Sequence, residues 1–139
     1  MILMLLLSTS CVTTKSDSWL DHYVYDKVIW PNARVEHEFW EIYFEKYTIH
    51  EYDCSNKCSK LIDFMDKQGF VGDVVVVDPE YSEWKHAIVR TKIGDDYVYY
   101  DPTNGKTSRD LEEFGKFVAV IPSNQIQFFR KLDISEWIF

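Results

Sequence analysis

Residues 85–105 read KHAIVRTKIGDDYVYYDPTNG, and this stretch decides how the chain folds. Two runs rich in β-branched and aromatic residues, 86–92 and 97–101, flank the pair Gly94-Asp95. This arrangement predicts a β-hairpin, because glycine at the first central position suits a type II′ turn. The DPTNG sequence that follows has strong turn chemistry and ends the second strand.

A two-residue turn also predicts which hairpin residues share a face of the sheet. In that register Arg90 pairs with Tyr99 and Ile88 pairs with Asp101. His86 lies on the same face as Ile88, because side chains alternate along a strand. His86 and Asp101 are then diagonal neighbours, about 7–8 Å apart between backbones, which a hydrogen bond from the imidazole to the carboxylate can span. A register shifted by one residue would place them on opposite faces.

An amphipathic helix is predicted upstream of the hairpin, over residues 54–68. Its apolar side chains recur at helical spacing, at Cys58, Leu61, Ile62 and Met65. Gly69 is the expected C-terminal stop, and Asp53 or Ser55 can cap the start. Cys54 falls in the first turn, where free N–H groups and the helix dipole stabilise a thiolate.

The rest of the chain completes a single α+β domain. The run VVVV at 74–77 is typical of a strand that is buried on both faces. We also expect helices at about 16–28 and 33–44, a short helix after Ser108, and a last strand at 117–121. No repeat and no Gly/Ser-rich linker divides the 139 residues, so residues 16–139 are predicted to form one domain.

Charge and cysteine content exclude several classes of function. Lys and Arg total 15 against 23 Asp and Glu, a net charge of −8, which argues against general nucleic-acid binding. The three cysteines, Cys11, Cys54 and Cys58, are too few for a disulfide framework. A zinc site from Cys54, Cys58 and His86 would lack a second ligand pair, so we expect no metal. Without a Gly-rich phosphate loop we expect no cofactor.

The first residues predict export from the cytoplasm. Residues 1–7 are all apolar, which is too short a run to cross a hydrocarbon core of ~30 Å, and small residues then lead into Cys11. This pattern resembles the lipobox of bacterial lipoproteins, in which the signal is cut before the cysteine and that cysteine is acylated. Residues 1–15 would then be a signal peptide, a lipid anchor at Cys11 and a tether to the membrane. An ordinary cleaved signal peptide and a cytosolic protein with an apolar N-terminus are the alternatives.

Four motifs follow one another in order within residues 50–105. They are Asp53-Cys54-Ser55-Asn56-Lys57-Cys58, Gly69-Phe70, Lys85-His86-Ala87 and Tyr99-Tyr100-Asp101-Pro102-Thr103. Together they resemble the core of the transglutaminase-like superfamily of papain-type cysteine enzymes. The resemblance implies a helix that carries Cys54, packed on a small antiparallel sheet that carries His86 and Asp101. It also implies that Cys54 is the nucleophile, His86 the general base and acid, and Asp101 the residue that orients the imidazole.

The resemblance implies a cysteine peptidase or amidase that cleaves a peptide or protein substrate through an acyl-enzyme. Transglutaminase-type acyl transfer to an amine and a binding module without turnover are alternatives, and the oligomeric state stays open. Trp84, Trp40 and Tyr52 are candidates by residue type for the second oxyanion donor. The polar neighbours of Cys54 argue against its burial among apolar side chains, whereas Cys58 lies on the apolar stripe and is expected to fill the core.

Overall fold

The structure, a computed structural model, describes residues 29–48, 52–80 and 82–125. Over these ranges the chain is an α+β domain of two α-helices and one five-stranded sheet. The helix predicted at 16–28 and the segment 1–15 with its candidate lipidation site Cys11 lie outside the described residues.

The elements follow one another as two helices and then five strands. The helices are α1 (Ala33–Phe44) and α2 (Cys54–Lys67). The strands are β1 (Gly72–Asp78), β2 (His86–Ile93), β3 (Asp96–Asp101), β4 (Lys106–Ser108) and β5 (Lys116–Ile121). Each lies within one or two residues of its predicted position where a prediction was made. The short helix predicted after Ser108 is a single 3₁₀ turn, Leu111–Glu113. None of the helices in the described part of the chain has the length and apolarity needed to span a membrane.

The sheet is antiparallel throughout, in the order β4-β3-β2-β1-β5. The central strand β1 pairs with both β2 and β5, and its four valines at 74–77 have no exposed surface. This confirms the prediction that the valine run is buried on both faces.

Two apolar clusters cover the two faces of the sheet. On one face α2 and α1 pack over a cluster that includes Val74, Val76, Ala87, Val89 and Tyr100. On the other face a smaller cluster joins Val75, Val77, Ile88 and Phe114. The larger cluster is the main core, and it includes the apolar side of α2 from Cys54 to Met65.

The β2–β3 hairpin has the predicted register. Arg90 pairs with Tyr99, and Ile93 pairs with Asp96 next to the two-residue turn. Gly94 has a φ of 66°, the left-handed conformation that the first residue of such a turn requires. The register therefore brings the last residue of β3, Asp101, beside the first residues of β2.

Candidate active site

The predicted catalytic residues meet at the end of the sheet away from the hairpin turn. His86 is the first residue of β2 and Asp101 is the last residue of β3. The N-terminus of α2 lies at the same end, because the Cys58 thiol donates to the Ala87 carbonyl over 3.2 Å. Cys54 is one turn before Cys58, and this places it beside the imidazole of His86.

The Asp101 carboxylate is buried and accepts four hydrogen bonds. Its side chain is 4% exposed. Oδ1 accepts from the backbone N–H groups of Thr103 and Asn104 at 3.0 and 3.2 Å. Oδ2 lies 2.9 Å from both the Asn104 amide nitrogen and the Nε2 atom of His86. The turn that follows β3 therefore holds the carboxylate in the orientation that faces His86.

The imidazole of His86 connects the carboxylate to the thiol. Asp101 bonds to Nε2, which leaves Nδ1 as the ring nitrogen that can exchange a proton with Cys54. Burial disfavours the imidazolium, but hydrogen bonds to Asp101 and Cys54 and the charges of both groups outweigh it and raise the pKa of His86 from 6.5 to about 10. The proton is therefore held on the imidazole by its two partners, Asp101 and Cys54.

Cys54 is fully buried, contrary to the expectation from its polar neighbours. It begins the same helical stripe as Cys58 and Leu61 and joins them in the main core. Polar residues next to it in the sequence cap the N-terminus of the helix and do not solvate the thiol. The neighbour-based argument was wrong because adjacent helix positions point in different directions.

A capping box organises the first turn of α2. Asp53 Oδ1 accepts from the backbone N–H groups of Ser55 and Asn56 at 3.1 and 3.4 Å. Asn56 Oδ1 accepts from the Asp53 N–H at 3.0 Å. The box holds the N–H groups on either side of Cys54 but does not include the N–H of Cys54 itself.

Tyr47 is the residue of the site that the sequence did not identify. It lies in the segment between the two helices, and its hydroxyl interacts with the backbone N–H of Cys54. Burial and the negative charges at Cys54, Asp53 and Asp101 raise the pKa of Tyr47 to about 12, although the bond from the Cys54 N–H lowers it. Tyr47 falls in an irregular stretch, so no periodicity or spacing points to it.

Two of the three candidate oxyanion donors do not line the cleft at His86. Trp40 packs edge-on against Phe39 and Tyr43. The Tyr52 hydroxyl donates to the Glu45 carboxylate. Only Trp84 lines the same cleft as His86, and it is 59% exposed. Trp40 and Tyr52 were candidates by residue type alone, and the structure shows no contact of either with His86 or Asp101 among the bonds and ring contacts of the described residues.

A cleft of about 400 Å³ opens onto the site. Its lining includes His86 and Asp101, with Tyr47 and Trp84 as aromatic walls. It adjoins a larger cavity of about 950 Å³, with which it shares lining residues such as Ser82 and Phe114. The cleft thus leads from the imidazole along the protein surface.

In the ranges that the structure describes, no group of three or more His, Cys, Asp or Glu side chains could hold a metal ion. Comparisons of the chain with protein-family models, curated proteins and solved structures found no match.

Proposed function

We propose that the protein is a cysteine-dependent hydrolase of amide bonds, built on a papain/transglutaminase-like core. The observation that carries the proposal is the position of His86, which hydrogen-bonds to Asp101 and interacts with Cys54. A nucleophile, a base and a group that orients the base are the parts that thiol catalysis needs.

The reaction proceeds in two steps. The Cys54 thiolate attacks the carbonyl carbon of the amide, and the C–N bond breaks as the His86 imidazolium gives its proton to the leaving nitrogen. The acyl group is then held on Cys54 as a thioester. Neutral His86 takes a proton from water, which attacks the thioester, releases the acid and restores the thiolate.

Tyr47 and the Cys54 backbone N–H supply the oxyanion site. In the resting structure the Tyr47 hydroxyl interacts with this N–H, on the side where a carbonyl oxygen would bind. When substrate binds, the phenol moves aside and donates its O–H to the same oxygen. Tyr47 is partly exposed at the cleft, which gives the ring room to move. Two donors then stabilise the negative charge of the tetrahedral intermediate.

An open cleft favours a peptide or protein substrate. The site is not an enclosed pocket for a small molecule, because the cleft beside His86 continues into the larger cavity. A chain of several residues can lie along such a groove with one carbonyl at Cys54.

Hydrolysis of a library of peptide amides tests the proposal. We expect cleavage by the wild-type protein and none above background with Cys54→Ala or His86→Ala. Cys58→Ala is the matched control, because it removes a buried thiol one turn further along the same helix, and it should retain activity. Iodoacetamide labelling at pH 6 with mass mapping should modify Cys54 quickly, and His86→Ala should slow it. Labelling no faster than that of a model thiol would contradict the proposal.

The complete burial of Cys54 favours a second candidate, a binding module of the same fold without turnover. This candidate predicts slow labelling of Cys54 and no cleavage of any amide in the library. Amine incorporation in place of hydrolysis would instead show transglutaminase-type acyl transfer. The same assay, with a primary amine added, separates the three outcomes.

We also propose that the protein is exported and anchored to the membrane by a lipid on Cys11. The support is the apolar run at 1–7 and the small residues that lead into this cysteine. Radiolabelled palmitate should be incorporated into the wild-type protein and not into Cys11→Ser. Incorporation that persists in Cys11→Ser would overturn the anchor, and secretion without label would indicate an ordinary signal peptide.

A further inference from the structure

Lys57 is a buried lysine that the proposed reaction does not use. It is 1% exposed, and its ammonium donates to the backbone carbonyls of Tyr43 and Glu45 at 3.1 and 2.8 Å. These carbonyls lie at the C-terminal end of α1, where the last carbonyls lack helical partners and the dipole favours a cation. Burying an ammonium is costly unless its donors are satisfied, so a lysine at this position calls for an explanation.

The carbonyls that Lys57 binds belong to the segment that carries Tyr47. Glu45 lies two residues before Tyr47. One residue after Tyr47, Thr48 pairs with Tyr52 through two backbone hydrogen bonds of 2.8 and 2.6 Å. The segment is therefore held on both sides of Tyr47, by Lys57 before it and by the backbone pair after it.

Lys57 also belongs to the same helix as the nucleophile, one turn after Cys54. Its backbone N–H donates to the Asp53 carbonyl at 3.0 Å, within the first turn of α2. One side chain thus connects the helix that carries Cys54 with the segment that carries Tyr47.

We propose that Lys57 is a positioning residue, which holds the backbone at Glu45 so that the Tyr47 hydroxyl lies against the Cys54 N–H. The inference rests on the proposed function, in which this hydroxyl is an oxyanion donor. Lys57 has no direct part in the chemistry, because its donors point to the two carbonyls. Burial lowers the pKa of Lys57, whereas the charges of Glu45 and Asp101 raise it.

Lys60 provides a matched control on the same helix. Its ammonium lies 5.9 Å from the centre of the Tyr52 ring, compared with 5.8 Å for Lys57. Lys60 binds the Glu45 carboxylate from the solvent side and is 46% exposed, so it makes no bond to the backbone of the segment. Lys57→Met and Lys60→Met each remove one positive charge. Only Lys57→Met also removes hydrogen bonds to the backbone of the segment.

The first test measures the position of Tyr47 without relying on activity. In ¹⁵N–¹H spectra of the full chain, Lys57→Met should shift the Cys54 amide resonance in the same direction as Tyr47→Phe. Lys57→Arg and Lys60→Met should leave it near its wild-type position. In a Tyr47→Phe background, Lys57→Met should add little further shift. A Cys54 resonance that does not respond to Lys57→Met overturns the proposal, even if the protein has no hydrolase activity.

The second test is a double-mutant cycle on kcat. We expect Lys57→Met to lower kcat at least about tenfold with little change in KM, because a displaced donor weakens only the transition state. Lys57→Arg should restore most of the loss, and Lys60→Met should cause none. In the Tyr47→Phe background the effect of Lys57→Met should largely vanish. If the losses of kcat from Lys57→Met and Tyr47→Phe simply multiply in the double mutant, or if Lys60→Met loses as much as Lys57→Met, the role of Lys57 is purely structural.

Lys57→Gln replaces Lys57→Met in both tests if the apolar variant fails to fold. It keeps a polar side chain of shorter reach that cannot span both carbonyls. If wild-type protein and all variants lack activity while the resonance shifts as expected, the proposed function fails and the positioning role of Lys57 stands.

Discussion

At the scale of single residues, Asp101 both ends strand β3 and holds the imidazole of His86. It accepts from two backbone N–H groups of its own turn and from the Asn104 side chain, and the same carboxylate faces His86. A carboxylate satisfied in this way does not depend on His86 for its orientation. The imidazole therefore adopts the position that the turn has already set.

Tyr47→Phe tests the proposed oxyanion role directly. Removing the hydroxyl should lower kcat about 100-fold with little effect on KM, since the lost donor acts on the developing charge. Steady-state kinetics on the best peptide amide would measure this. Tyr97→Phe is the control, because Tyr97 has the same 36% exposure but lies in β3 under Arg90, and it should retain full activity. A rise in kcat for Tyr47→Phe would show that the phenol blocks the site.

The residues of the site differ in how far the sequence could identify them. Cys54, His86 and Asp101 stand at positions that local rules define, namely a helix start, a strand start and a turn. The roles proposed for Tyr47 and Lys57 depend on contacts between the end of α1 and α2 that no local pattern encodes. Trp40 and Tyr52 were candidates by residue type alone. Residue type does not say which side chains lie next to the site in space.

At the scale of elements, the β2–β3 hairpin and the turn after it determine the geometry of the site. The two-residue turn sets the register that brings Asp101 to His86. The Asp101 carbonyl accepts from the Gly105 N–H at 2.8 Å, which closes the second turn. Both turns contain a glycine in the left-handed region, with a φ of 66° at Gly94 and 71° at Gly105.

Substitution of these two glycines by alanine should have different effects. Gly94→Ala strains only the backbone, whereas Gly105→Ala also crowds neighbouring side chains. At Gly94 a Cβ would meet nothing within 4 Å, so Gly94→Ala should cost about 1 kcal/mol for the left-handed backbone. At Gly105 a Cβ would lie 3.0 Å from the Tyr43 ring and 3.2 Å from Trp40. Gly105→Ala should therefore cost about 2–4 kcal/mol.

Urea denaturation of both variants measures these costs. Gly105→Ala should also lower the proposed hydrolytic activity, because the displaced turn carries Asp101, whereas Gly94→Ala should leave it unchanged. Equal losses of stability in the two variants would show that crowding against α1 is unimportant.

At the scale of the whole molecule, the interactions of His86 with Asp101 and Cys54 make stability depend on pH. Folding raises the pKa of His86 from its ordinary 6.5 to about 10. A raised pKa means that the folded state holds the proton more tightly, so the contribution to stability is complete below about pH 6.5. It is lost as the pH rises through about 10.

Urea denaturation of the wild-type protein and of His86→Gln between pH 6 and pH 10 tests this. The difference in free energy of unfolding should fall by on the order of a few kcal/mol over the range. Other titrating groups are common to both proteins and largely cancel in the difference. A difference that stays constant with pH would contradict the proposed contacts of His86 with Asp101 and Cys54.

The sequence by itself determined the α+β class, the helix at Cys54, the buried valine strand and the hairpin with its register. These features depend on periodicity, caps and turn residues, which act between neighbours in the chain. Tertiary structure alone decided that Cys54 is buried, that Tyr47 lies at its backbone N–H, and that Lys57 ties the two helices together. The reason is physical: each of these contacts depends on how α1 packs beside α2, and packing between separate elements leaves no periodic signal in the sequence.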